Sequence, residues 1–315
     1  MMPSANCNKT GGAKRKPPDH LLIIADIEGS SGCWHYSDGC FLSPTWPRAC
    51  VAMTADVNAV AGALFDAGVQ SIRVKDFHRT GYNLLREGLD PRASLVSGYR
   101  RGPVPGLGDP GPAQAVLFLG MHAASGSQAA FLAHTLTSRI QELRLNGRRL
   151  SEVELFAAAL APHNIRPLFF SGSPVACAQA RERLPGIATH SIEKKGGPTA
   201  LDVVCWRREL AAATVRALNR TDTPPPYAPQ GPFHAAVTFR DGAPAAARHA
   251  APWGFRHRRS TVFIDTDTYA ELYHQLVRLC YLPPLAERTL PLSLFLFNLR
   301  GRLGLAWARR RLARG

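Results

Sequence analysis

Leu21 to Ala25 is an uninterrupted apolar run that ends in two acidic residues, Asp26 and Glu28, followed at once by Gly29. Such a run reads as a strand covered on both faces, the kind found in a parallel sheet flanked by helices. Asp26 and Glu28 are two positions apart, so an extended backbone aims both carboxylates to one side. Two carboxylates held together repel, and a bound cation is the usual relief. A helix N-cap or a solvated turn is the competing reading, because Ser30, Ser31 and Gly32 follow.

The same grammar recurs. A second strand, from Ser71, ends in Asp76-Phe-His78, and a third, from Gln114, ends in Gly120-Met-His122. Ligands of open parallel sheets collect at the carboxyl ends of the strands, so Asp26, Glu28, His78 and His122 are expected to converge on one edge. Two carboxylates with two imidazoles suit Zn, Mn, Co or Fe better than Ca or Mg.

In order and spacing, Asp26-Ile-Glu28-Gly29, Asp76-Phe-His78, Gly120-Met-His122-Ala123, His134-Thr135, Asn146-Gly147 and Glu152 resemble the zinc-dependent D-aminopeptidases of the DppA type, associated with bacterial dipeptide-transport operons. The resemblance covers about residues 20–285. It implies a dinuclear zinc site, with Mn or Co as substitutes, held by Asp26, Glu28, His78, His122 and Glu152, Asp26 being the bridge. It also implies a catalytic His134 outside the metal shell, N-terminal cleavage of short, D-amino-acid-containing peptides, and a ring-shaped homo-oligomer such as a decamer. Asp76 is expected to orient His78 or its loop. Ala133, Ser151, Glu154 and Ser173 stand where the family tends to carry other residues. Two other functions stay open: another dinuclear metallohydrolase acting on an amide or phosphoester, or a basic protein that binds nucleic acid or anionic membrane.

The last of these rests on charge: Lys+Arg 38 against Asp+Glu 23 gives +15 and a pI near 10.1. Much of the excess lies at the two ends, and no helix-turn-helix, zinc-finger or RNP pattern accompanies it, so specific nucleic-acid binding is not expected. Seven cysteines, an odd number without a CxxC pair, suit reduced thiols, and residues 1–18 lack an apolar signal core, so a cytoplasmic protein is expected.

Along the chain, 1–18 reads as a disordered basic tail, 19–222 as the α/β catalytic domain, 223–233 as a Pro-rich linker, 234–285 as a small α+β unit and 286–315 as a Leu/Arg-rich tail. Asn146-Gly147 predicts a hairpin between residues 136 and 150, Ser151 a helix cap, and 190–195 a short strand. In the tail, packing is favoured for 289–299 and a solvated end for 300–315, ahead of peripheral membrane contact.

Overall fold

The computed structural model describes residues 17–314. The expected disordered segment 1–18 therefore lies outside the described residues except for its last two.

In chain order the elements are β1 (His20–Ala25), α1 (Trp46–Asp66), β2 (Ser71–Asp76), β3 (Ser94–Val96), β4 (Ala115–Met121), β5 (Ile140–Leu145), β6 (Arg148–Arg149), α2 (Glu152–Leu160), β7 (Arg166–Gly172), α3 (Pro174–Arg183), β8 (Ala188–Ser191), α4 (Val203–Leu218), β9 (Phe233–Phe239), α5 (Gly242–Ala250), β10 (Arg256–Arg258), β11 (Thr261–Thr266), α6 (Tyr269–Tyr281), α7 (Pro284–Arg288) and α8 (Leu290–Leu312). Six strands form an all-parallel sheet in the order β3-β2-β1-β4-β7-β8. A five-stranded antiparallel sheet runs β10-β11-β9-β5-β6.

Strand alternation divides the interior in two. Leu21, Ile23 and Ala25 of β1 pack among residues of α1 and α4, whereas Leu22 and Ile24 pack with α2, α3 and the antiparallel sheet. With both faces covered, β1 and β4 have no need of polar residues, which is why they read as apolar runs. α1 is long and apolar enough to cross a membrane, yet most of its large apolar residues are core residues packed against the sheet.

The hairpin is present: Asn146 and Gly147 both have positive φ, as a tight turn requires, but β5 pairs with β9. The antiparallel sheet thus draws strands from both sides of the Pro-rich segment. The strand expected at 190–195 lies at 188–191, where β7 offers its pairing edge from Phe169 to Gly172.

The C-terminal segment departs from expectation most. It forms α8, and its packed residues are Asn298, Gly301, Gly304, Leu305 and Ala308, so the end expected to be solvated is the docked one. A Cβ at Gly301 would collide with the Tyr82 ring and one at Gly304 with the Phe41 ring, so only glycine allows this approach. Trp307 stacks on Trp46 with ring centroids 6.3 Å apart, and the Asn298 amide exchanges two hydrogen bonds with the Tyr99 backbone. Residues 292–299, expected to pack, carry most of the exposed apolar side chains of the helix.

Candidate metal centre

Asp26 is the first residue past β1, and the chain turns there against the end of β4. The Gly29 N–H donates to the Gly120 carbonyl at 2.7 Å, and a Cβ on either glycine would overlap the opposite backbone. This close approach brings the ends of β1 and β4 together and puts Asp26, Glu28 and His122 side by side, all buried. His78 arrives from the end of β2 and Glu152 from the first turn of α2.

Asp26 uses one oxygen toward each imidazole. Its Oδ1 lies 3.0 Å from His78 Nδ1 and its Oδ2 lies 3.3 Å from His122 Nε2. Glu28 Oε2 is 3.0 Å from the same His78 nitrogen, and Glu152 Oε2 is 3.6 Å from His122 Nε2. All five expected ligands are therefore brought together, as two groups that share Asp26.

The outer nitrogens fix what the inner ones can do. His78 Nε2 donates to the Gly39 carbonyl at 2.7 Å, and His122 Nδ1 faces the Ala123 carbonyl at 3.1 Å. A carbonyl only accepts, so in the neutral ring the proton sits on the outer nitrogen and the inner one presents a lone pair to the carboxylates. Lone pair facing lone pair is repulsive unless a proton or cation lies between. Consistently, Glu28 Oε2 and His122 Nε2 are buried without a well-aligned hydrogen-bond partner. Burial pushes the His78 imidazole down, but the charges of Glu28 and Asp26 override it and hold it up at about 10. Burial likewise opposes charge on Asp26, yet His122 and His78 hold its carboxyl well below the usual range. Carboxylates that hold positive charge on buried imidazoles favour a divalent cation for the same reason, and the donor set of imidazole nitrogen and carboxylate oxygen fits zinc.

His134 sits at the open side. Its ring stacks on His122 at 3.6 Å between centroids, its Nδ1 donates to the Leu132 carbonyl at 2.8 Å, and its Nε2 lies 3.9 Å from Glu28 Oε1. Its side chain keeps 20% of its surface exposed, against 9% or less for the other five. His134, His122 and Glu152 also offer donor atoms within 4.8 Å of one another, a reach that ligation would require as well.

Asp76 touches no ring of the cluster. Its carboxylate accepts from the backbone N–H of Asn83 and Leu84 and from the Asn83 amide, which also donates to the His78 carbonyl. It thus orients the loop that carries His78. Asn83 was not singled out in the sequence, because its partners are Asp76, His78 and the Trp46 indole, which only folding assembles. Lys194 was also missed: its ammonium donates to the Ser30 and Cys33 carbonyls across the loop after β1, with the Trp34 and Phe131 rings beside it. The unusual residues near the site serve local structure. Ser151 and Glu154 form a capping box on α2, and Ser173 caps α3. His163, His190, His249, His257 and His274 take no part in the cluster.

A sequence profile of the D-aminopeptidase family matches residues 20–277. The chain is 27% identical to a D-aminopeptidase of Bacillus subtilis (strain 168) over 217 residues, 66% of this chain and 77% of that one. A solved structure described as Zn-dependent D-aminopeptidase DppA from Bacillus subtilis, a self-compartmentalizing protease, matches with a TM-score of 0.75 and 24% identity, covering 82% of this chain and 96% of that chain. The profile takes in every residue of the cluster, from Asp26 to Glu152, and most of the chain around it: this protein belongs to the D-aminopeptidase family.

Proposed function

We propose that the protein is a dinuclear zinc aminopeptidase that removes the N-terminal residue of short peptides, with preference for D-amino acids, and that it works as a ring-shaped homo-oligomer. The observation that carries the dinuclear reading is Asp26, whose two oxygens face different imidazoles, each imidazole with its own further carboxylate. One site would comprise Asp26, Glu28 and His78, and the other Asp26, His122 and Glu152. When bound, the metal pair supplies the Lewis acid that activates water and polarises the scissile carbonyl.

The chain's own residues do the rest. The Gly39 and Ala123 carbonyls set the tautomers of His78 and His122, keeping their inner nitrogens free for ligation. With Nδ1 tied to Leu132, His134 can accept a proton at Nε2 and pass it to the leaving amine, or donate to a developing oxyanion. Support for D-selectivity comes from the D-aminopeptidase family, and support for a homo-oligomer from the Bacillus subtilis structure, described as a self-compartmentalizing protease.

The test is elemental analysis of protein purified without added metal, beside turnover of D- and L-aminoacyl p-nitroanilides and a phosphodiester chromogen. Close to two zinc ions per chain and D-selective release of p-nitroaniline are expected. Turnover of the phosphodiester alone would replace peptidase by phosphoesterase, and a monomer in light scattering would remove the ring.

A further inference from the structure

α8 begins after the region that the family profile matches, and it is apolar on two opposite faces. One face docks on the protein. The other carries Leu292, Phe295, Leu296, Leu299 and Leu303, exposed by 57, 59, 53, 38 and 64%. Their spacing of three, one, three and four places them on a single stripe, roughly 17 Å long at 1.5 Å per residue. Leu285 of α7, just before it, is 73% exposed. Soluble proteins rarely leave a contiguous stripe of this kind uncovered.

Arginines border the stripe. At about 100° per residue, Arg300 and Arg302 fall on its two sides and Arg310 continues it toward the C-terminus. Between α8 and the segment 99–101 lies an open cleft of about 250 Å³, lined by Arg100, Arg101 and Arg302 on its charged side and by Leu294, Phe295 and Leu299 on its apolar side. Among the described residues, Arg100, Arg101, Arg300, Arg302 and Arg310 form no ion pair with a carboxylate, whereas Arg309 is paired with Glu87. A second copy laid on this stripe would bring the same arginines against themselves, in a chain of net charge +15. An anionic lipid surface offers an apolar phase for the stripe and opposite charge for its borders.

We propose that the outer face of α8 docks the protein on anionic phospholipid bilayers. The helix lies in the interface with its leucines in the acyl boundary, and the Arg100, Arg101 and Arg302 cleft takes a headgroup phosphate. α8 does not cross the bilayer: among the described residues only α1 is long and apolar enough, and α1 is a core helix.

The experiment is flotation of the full-length protein with vesicles of phosphatidylcholine alone and of phosphatidylcholine with phosphatidylglycerol in equal parts. Binding to the anionic vesicles, loss of that binding in high salt and none to phosphatidylcholine alone are expected. The double variants Leu296→Glu/Leu303→Glu and Arg101→Glu/Arg302→Glu should each weaken binding by at least about tenfold, because each basic side chain at an anionic surface is worth several-fold. Peptidase activity and melting temperature should stay as in the parent, which separates lost docking from lost folding. Absence of binding by the parent protein, or binding that neither double variant changes, overturns the proposal. So does a leucine variant that lowers the oligomeric mass in light scattering but floats like the parent, for then a second copy covers the stripe.

Discussion

The carboxyl edge of the parallel sheet and the outer face of α8 break the same rule in opposite directions. At the edge, the titratable side chains of Asp26, Glu28, His78, His122 and Glu152 are buried together; on α8, the five large apolar side chains of the stripe face out. Scattered exposed leucines mean little, but a buried polar cluster or a long exposed apolar stripe is informative. Each makes physical sense only with a partner of matching character, a cation in the first place and an apolar phase in the second. The two also differ in how they are held. The cluster is fixed by backbone carbonyls and by the Asp76–Asn83 loop anchor, so it is preorganised. The stripe is fixed only by the opposite side of its own helix.

The largest effect should come from emptying the cluster. His122→Ala is expected to lose metal and at least about 10³-fold in kcat/KM, several kcal/mol of Lewis-acid stabilisation being lost with the ion. Leu303→Glu on α8 should leave kcat/KM unchanged; comparable losses in both variants would erase the distinction between the two regions. Next, His134→Ala should keep its metal and lose about 10²–10⁴-fold in rate. Metal loss in that variant, read by elemental analysis, would turn His134 into a ligand, which its reach toward His122 and Glu152 permits.

Truncation after Leu299 tests what holds the stripe in place. It removes buried Leu305 and the stack of Trp307 on Trp46, at a cost of about 2–4 kcal/mol and several degrees in Tm, with peptidase activity retained. An unchanged Tm would mean that α8 is not docked in solution. Asp76→Ala, which frees the loop carrying His78, should weaken metal affinity by about 10–100-fold in a chelator competition without abolishing it.

The smallest effect concerns a buried charge with no carboxylate against it. Burial pushes the Lys75 ammonium down to about 7, with its Nζ donating to the Gly98 carbonyl near the Phe77 and Tyr99 rings. Its ordinary value is 10.5, so between these pH values the unfolded chain binds the extra proton. Stability therefore rises with pH from about 7 toward 10 on account of this group. In urea unfolding at pH 7 and pH 9, Lys75→Met should gain less stability with pH than the parent, whose net slope also carries the opposing contribution of His78, held up at about 10. Some slope should remain, because burial also lowers Lys194, to about 8. An identical slope would clear Lys75 of the effect.

Much of the candidate site could be read in the sequence because β1 and β4, covered on both faces, are apolar almost throughout. Polar residues are then displaced to the strand ends, where Asp26, Glu28, His78 and His122 stand out against Leu21–Ala25 and Ala115–Met121. Period-two alternation and the order of motifs were enough to gather them, and Asn146-Gly147 was enough to make the hairpin. Partner choice was beyond it. That β5 pairs with β9, that the Gly39 carbonyl orients His78, that Asn83 ties Asp76 to the His78 loop and that Lys194 clamps the loop after β1 all depend on contacts between distant residues, which no local pattern encodes. α8 shows the limit most clearly. Spacing reveals an apolar stripe, but a helix with two apolar faces gives no local sign of which one turns inward. Gly301 and Gly304 decide it, because only their face lets the Tyr82 and Phe41 rings approach the backbone, and the leucines on the far side are left to the solvent.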